Sequence, residues 1–231
     1  MSFQGQEAER FMKSKAFIAS YQGINRRTTY DTNEQEYNSL NWALLPPPTT
    51  TTERGMALKP LTEAFAIVAR KRGGLPEDKA VKGMLEIRED LYKSWLGQYL
   101  YFYMGPPRFR PLPVMLGIWE ILDANRDEQL KLLAGYNTTD LVEPPILEDF
   151  HTEHLGTGIK VWCVQRQEKH RRKVVGLLGY AFRSEELETD LHLKAMCPDL
   201  GWLQGAMPHI DEFVRAISIV PKQKKDSDAG N

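Results

Sequence analysis

Cysteine is nearly absent from this chain of 231 residues: there are two, Cys163 and Cys197, thirty-four positions apart. That excludes a disulfide-dense secreted scaffold. No run of about 18 uncharged apolar residues occurs, so no transmembrane helix is expected. Neither sign of charge dominates, since 30 Lys and Arg face 31 Asp and Glu. A dedicated polyanion binder would carry a larger basic excess. Enzyme signatures are missing as well. There is no glycine-rich phosphate loop between a strand and a helix, no Gly-x-Ser-x-Gly turn and no Cys-x-x-Cys pair. Gly156-x-Gly158 precedes a strand pattern, the wrong setting for holding phosphate on a helix dipole. No internal repeat is visible. The first residues, Met1 to Glu7, lack the charged-then-apolar pattern of a signal peptide, which together with the cysteine count predicts a cytoplasmic protein with reduced thiols.

What remains is a chain with 42% apolar and 26% charged residues, enough to build a sizeable core. Its periodicity predicts a mainly α fold: a helical body with a small C-terminal β-hairpin, an α+β arrangement. Helices are expected from Gln6 to Tyr21, from Asp31 or Thr32 to Leu45, from Pro60 to Arg72 and from Pro76 to Met104. Shorter ones follow up to Leu122 and from Asp127 to Ala134, with a turn or two from Leu147 to His154. Ile159 to Val164 and Val174 to Phe182 are β-branched apolar runs around a polar stretch, the hairpin candidate. Ser184 reads as the cap of another helix, and Pro208 as the first residue of the last one. Pro46-Pro47-Pro48 and the four threonines after it read as a semi-rigid spacer. The expected organisation is an N-terminal helical arm over 1–45, a Pro/Thr linker over 46–56, a helical body over 57–155, an α+β part over 156–221 and a disordered tail over 222–231.

Charge is unevenly spread. Residues 1–74 carry a balance of +3, residues 75–155 one of −6 and residues 156–231 one of +2. Basic clusters recur: Arg26 and Arg27; Arg70 and Arg72; Arg108 and Arg110 beside the aromatic run Tyr99 to Tyr103; and Arg166, Lys169, Arg171, Arg172 and Lys173 at the hairpin tip. Cations release counterions from phosphate backbones and aromatic rings stack on bases. These eleven residues are therefore the candidate nucleic-acid contacts. The competing reading of the tip is a charged turn that keeps a sheet edge soluble.

The expected function is that of a non-enzymatic assembly protein. It self-associates into a homo-oligomer through apolar helix ends and touches RNA, as a coat, nucleocapsid or matrix-like protein would, with no cofactor and no membrane insertion. Two alternatives stand beside it. His151 and His154, spaced to share one side of a helix with Glu153 between them, could hold a metal in an intracellular enzyme, with Asp149 adding an oxygen ligand and His192, His209 or Cys163 supplying a further one. The aromatic run containing Tyr101 and Tyr103 could line the groove of a peptide-binding adaptor. Cys163, between Trp162 and Val164, reads as a small buried hydrophobe.

Overall fold

The computed structural model describes residues 16–18, 42–45, 99–103, 105, 112–121, 125–137, 139–167 and 170–221. Within them the chain is mostly strand. In order come β1 (Ala16–Ile18), β2 (Trp42–Leu45), β3 (Tyr99–Tyr103), β4 (Leu112–Glu120), helix α1 (Arg126–Ala134), β5 (Ile146–Thr152), β6 (Gly156–Gln167), β7 (His170–Ser184), β8 (Thr189–Cys197), helix α2 (Leu200–Arg215) and β9 (Ile219–Pro221). Seven strands form one antiparallel sheet in the order β2-β3-β4-β8-β7-β6-β5, and β1 pairs with β9 in a separate two-stranded ribbon. None of the helices among the described residues is long and apolar enough to cross a membrane.

The strand alternation sorts the core onto two faces. One face presents Tyr101, Leu116, Leu178, Tyr180, Phe182, Leu191 and Leu193 to α2. Helix α2 answers with Trp202, Leu203, Ala206, Ile210, Phe213 and Val214, a three-and-four rhythm that makes a single apolar stripe. The aromatic contacts are close: Trp42 stacks on Phe213 at 4.2 Å, and Tyr103 on Trp202 at 5.5 Å. Asp199 caps α2, its carboxylate accepting the Trp202 N–H at 2.9 Å. The opposite face packs Val161 and Ala181 against Leu130 and Ala134 of α1. There Arg183 makes two bonds to the Asp190 carboxylate, at 2.7 and 2.8 Å, and a third to Gln129 of α1 at 2.9 Å. Nearby, the Trp119 indole N–H donates to His192 Nδ1 at 2.7 Å.

Helix α1 stands where the sequence places it, and the β6–β7 hairpin is present, although its strands run on through most of the polar stretch expected as the tip, leaving residues 168–169 between them. Asn125 caps α1 through the Asp127 N–H, and Gly135 ends it in the left-handed region at φ 88°. The mainly α class is overturned. Residues 99–103, expected as the end of a long helix, form β3; both of its faces are covered, so no alternation shows in Tyr-Leu-Tyr-Phe-Tyr. For the same reason Leu112–Glu120, buried at all but two positions, is a strand where a short helix is expected. Residues 147–152 belong to edge strand β5, which buries only Phe150 and so lacks a strand signature. Trp42–Leu45 and Ala16–Ile18 are strands within stretches expected to be helical. Ser184 caps no helix: its hydroxyl accepts the Leu187 N–H at 3.3 Å in a tight turn, and Glu188 takes φ 48° before β8 begins. Pro208 lies inside α2 and not at its start. The expected helices over 60–72 and 76–98, the linker over 46–56 and the tail over 222–231 lie outside the described residues.

Two consequences can be measured. A Cβ on Gly179 would run into the carbonyl oxygen of Ala134, so α1 reaches the sheet only because position 179 has no side chain. Gly179→Ala is expected to destabilise the fold by about 2 kcal/mol in urea titration. His192 is fully buried, and burial, with Lys194 second, holds its imidazole well below the ordinary value of 6.5. The folded chain keeps it neutral where the unfolded chain takes up a proton. Stability should therefore fall as pH drops below about 6.5, read as a falling urea midpoint between pH 7.5 and 5.

Candidate protein-binding edge

Strand β5 is the last strand of the sheet, and among the described residues nothing pairs with its outer side. Its inner side pairs with β6 from Ile146 opposite Trp162 to Thr152 opposite Gly156. The edge continues upstream of Pro144-Pro145, where the Val142 N–H donates to the Val164 carbonyl at 2.8 Å and Arg166 N–H to the Asp140 carbonyl at 2.9 Å. Large apolar side chains stay in solvent along this edge: Ile146 is 54% exposed, Leu147 39% and Val142 44%. Ile146 and Glu148 lie on the α2 side of the sheet, Leu147 and Asp149 on the other. Residues 140–153 hold five carboxylates (Asp140, Glu143, Glu148, Asp149 and Glu153) and no Lys or Arg, a local charge of −5 in a chain whose total is −1.

One aromatic side chain and one buried ion pair hold this edge in place. Phe150, buried, meets Tyr180 edge-on at 5.1 Å, and the Arg215 guanidinium of α2 lies 4.9 Å from its ring centre. Beside it Lys160 of β6 places its ammonium 3.0 Å from both oxygens of Asp211 on α2. The Tyr180 phenol of β7 donates to the same carboxylate at 2.5 Å. Burial, then the hydrogen bond to Asp211, drives the Tyr180 phenol far above its usual range, so it stays a proton donor to that carboxylate. This arrangement joins helix α2 to β6 and β7, and through Phe150 to β5.

The candidate site residues are placed as follows. Arg26, Arg27, Arg70, Arg72, Arg108, Arg110 and Lys169 lie outside the described residues. Arg171 and Arg172 are described only as backbone of β7, and Arg166 and Lys173 are exposed near the ends of β6 and β7. Lys160, a further cation of β6, is buried. The aromatic helix end invoked for self-association is not a helix: Tyr101, Phe102 and Tyr103 are buried in β3 between β2 and β4. That removes the nucleocapsid-like reading, and it removes the aromatic run as a peptide groove. His151 lies in β5 with its Nδ1 2.8 Å from the Thr157 hydroxyl, and His154 is in the following turn. Among the described residues no group of three His, Cys, Asp or Glu converges as a metal cage. Cys163 is buried as expected, and burial raises its thiol. Cys163 and Cys197 pair with adjacent β7 residues, Leu177 and Gly176, and so lie on opposite faces of the sheet.

The Lys160–Tyr180–Asp211 cluster has little signal in the sequence. A lysine within Ile-Lys-Val-Trp and an aspartate beside Ile210 in an apolar stripe are its traces.

No protein-family model matches this chain, and no curated protein does. Two solved structures are similar to part of it. The Ran-binding protein Mog1p of Saccharomyces cerevisiae has 12% identity and a TM-score of 0.37 over 52% of this chain and 77% of that one. A mutant form of Mog1 has 12% identity and a TM-score of 0.38 over 54% of this chain and 80% of that one. At these TM-scores neither likeness bears on fold or function.

Asp211→Ala would leave the Lys160 ammonium buried without its carboxylate. The expected cost is about 3 kcal/mol, recovered in large part by the double change Lys160→Met, Asp211→Leu, both read from urea midpoints.

Proposed function

We propose that this protein is a non-catalytic protein-binding module that takes an extended, basic segment of a partner onto edge strand β5. The observation that carries the reading is the exposure of Ile146 and Leu147 on an edge that pairs with no other strand among the described residues and whose neighbouring side chains, Glu148 and Asp149, are both acidic. Strand addition gains affinity from main-chain hydrogen bonds and selects its partner through alternate side chains. Residues directly opposite across a strand pair interact most strongly. An antiparallel guest therefore suits β5 when it reads basic-basic-apolar-apolar, setting its cations against Glu148 and Asp149 and its apolar pair against Ile146 and Leu147.

The same charges argue against a second copy of this chain as the guest. Two β5 strands paired antiparallel would crowd acidic side chains from both copies along one narrow ribbon, and like charges across a pair are destabilising. Edge carboxylates of this kind block self-pairing while leaving a complementary strand welcome.

A peptide carrying Lys-Lys-Val-Ile between flexible flanks is expected to bind the full chain in fluorescence polarisation, more weakly as salt rises. Glu148→Lys together with Asp149→Lys should lower that affinity about tenfold and favour an acidic counterpart, Glu-Glu-Val-Ile. Equal affinity of both proteins for both peptides, or no binding by the unmodified chain, contradicts the reading.

A further inference from the structure

At the end of the sheet where β5 finishes, the β5–β6 turn and the β7–β8 turn flank a cavity of about 190 Å³. Its walls include Leu155, Phe182, Leu191 and Ile219, all drawn from the main core or packed against it. At the mouth stand Glu185 and Glu186, both exposed. The cavity is well below the roughly 300–1,000 Å³ typical of sites for drug-sized ligands, so its size fits one long side chain. Arg183 also lines it, but that guanidinium is already committed to the buried Asp190 carboxylate and to Gln129. Its charge is thus neutralised inside the protein, and the lining groups left facing solvent are the Glu185 and Glu186 carboxylates and the His154 imidazole.

We infer that this cavity is a socket for an arginine or lysine side chain of the partner. An apolar floor under an acidic mouth matches a side chain whose methylene stem is greasy and whose tip is cationic. The mouth is also held ready. Ser184 accepts the Leu187 N–H, the Thr189 hydroxyl donates to the Leu187 carbonyl at 3.0 Å, and the Glu188 N–H donates to the Glu185 carbonyl at 3.2 Å. A turn fixed by three such bonds loses little freedom when a guest arrives. The inference rests on the β5 reading for the kind of partner, a basic segment that runs past Thr152 toward His154 at the cavity. The socket's own chemistry is separate and can be tested without a strand.

The test is a titration of the full chain, labelled at its Leu and Ile methyl groups, with N-acetylarginine amide followed by NMR. The expected result is a saturable shift of the Leu155, Leu191 and Ile219 methyls with a dissociation constant on the order of 1 mM. The neutral isostere N-acetylcitrulline amide should shift them at least fivefold more weakly. Glu185→Gln with Glu186→Gln, two exposed changes, should weaken the arginine probe at least fivefold while leaving Lys-Lys-Val-Ile binding at β5 within twofold. Shifts that never saturate, equal response to both probes, or unchanged affinity in the double variant would overturn the socket. If the socket fails while the basic peptide still needs Glu148 and Asp149, the β5 reading survives. If the peptide fails while the arginine probe saturates, the socket survives alone.

Discussion

The Asp211 carboxylate is the point on which the arrangement of this protein turns. From its place in helix α2 it receives the Lys160 ammonium of β6 and the Tyr180 phenol of β7. Taking an ammonium and a carboxylate out of water is costly, and only close, fully bonded geometry offsets it. That requirement fixes the height and rotation of α2 over the last three strands. Phe150 then has a defined slot between Tyr180 and Arg215, and among the described residues that slot attaches β5 to the second layer. An edge strand with a single buried residue is presented at a set angle because of a polar contact beneath it.

The distribution of charge follows the same division of labour. Cationic groups near the edge, Lys160 and Arg183, are paired inside the fold with Asp211 and Asp190. The carboxylates of residues 140–153 point their charge to solvent, and a chain close to neutral overall acquires a strongly negative border. An edge strand that is apolar at one end and acidic in the middle discourages its own copy and favours a basic guest. The cavity beside the β7–β8 turn repeats the pattern on the scale of a single side chain, with an apolar floor and an acidic rim.

How much of this could be read from residues alone depended on whether an element showed one face to water. Helix α1 was legible because Asn125, Asp127, Glu128 and Gly135 mark its ends with local chemistry. The β6–β7 hairpin was legible from its β-branched runs, although Lys160, one cation among them, turned out to face inward. β3 and β4 were not, since strands covered on both faces lose the period of two and leave an apolar run that fits a helix equally well. β5 failed for the opposite reason, having too few buried positions to leave any pattern. The candidate site was almost wholly hidden: its carboxylates looked like ordinary solvated charge until pairing with β6 placed them along one edge. The histidines at 151 and 154, read as spaced along one side of a helix, fall one in a strand and one in a turn.

The central claim is that β5 accepts a partner strand on its outer side. Amide hydrogen exchange of the full chain with and without a saturating basic-basic-apolar-apolar peptide tests it most directly. New protection concentrated in residues 146–152, with α1 and the β7–β8 strands unchanged, is the predicted result. Protection that appears elsewhere and leaves 146–152 exchanging as before would contradict it.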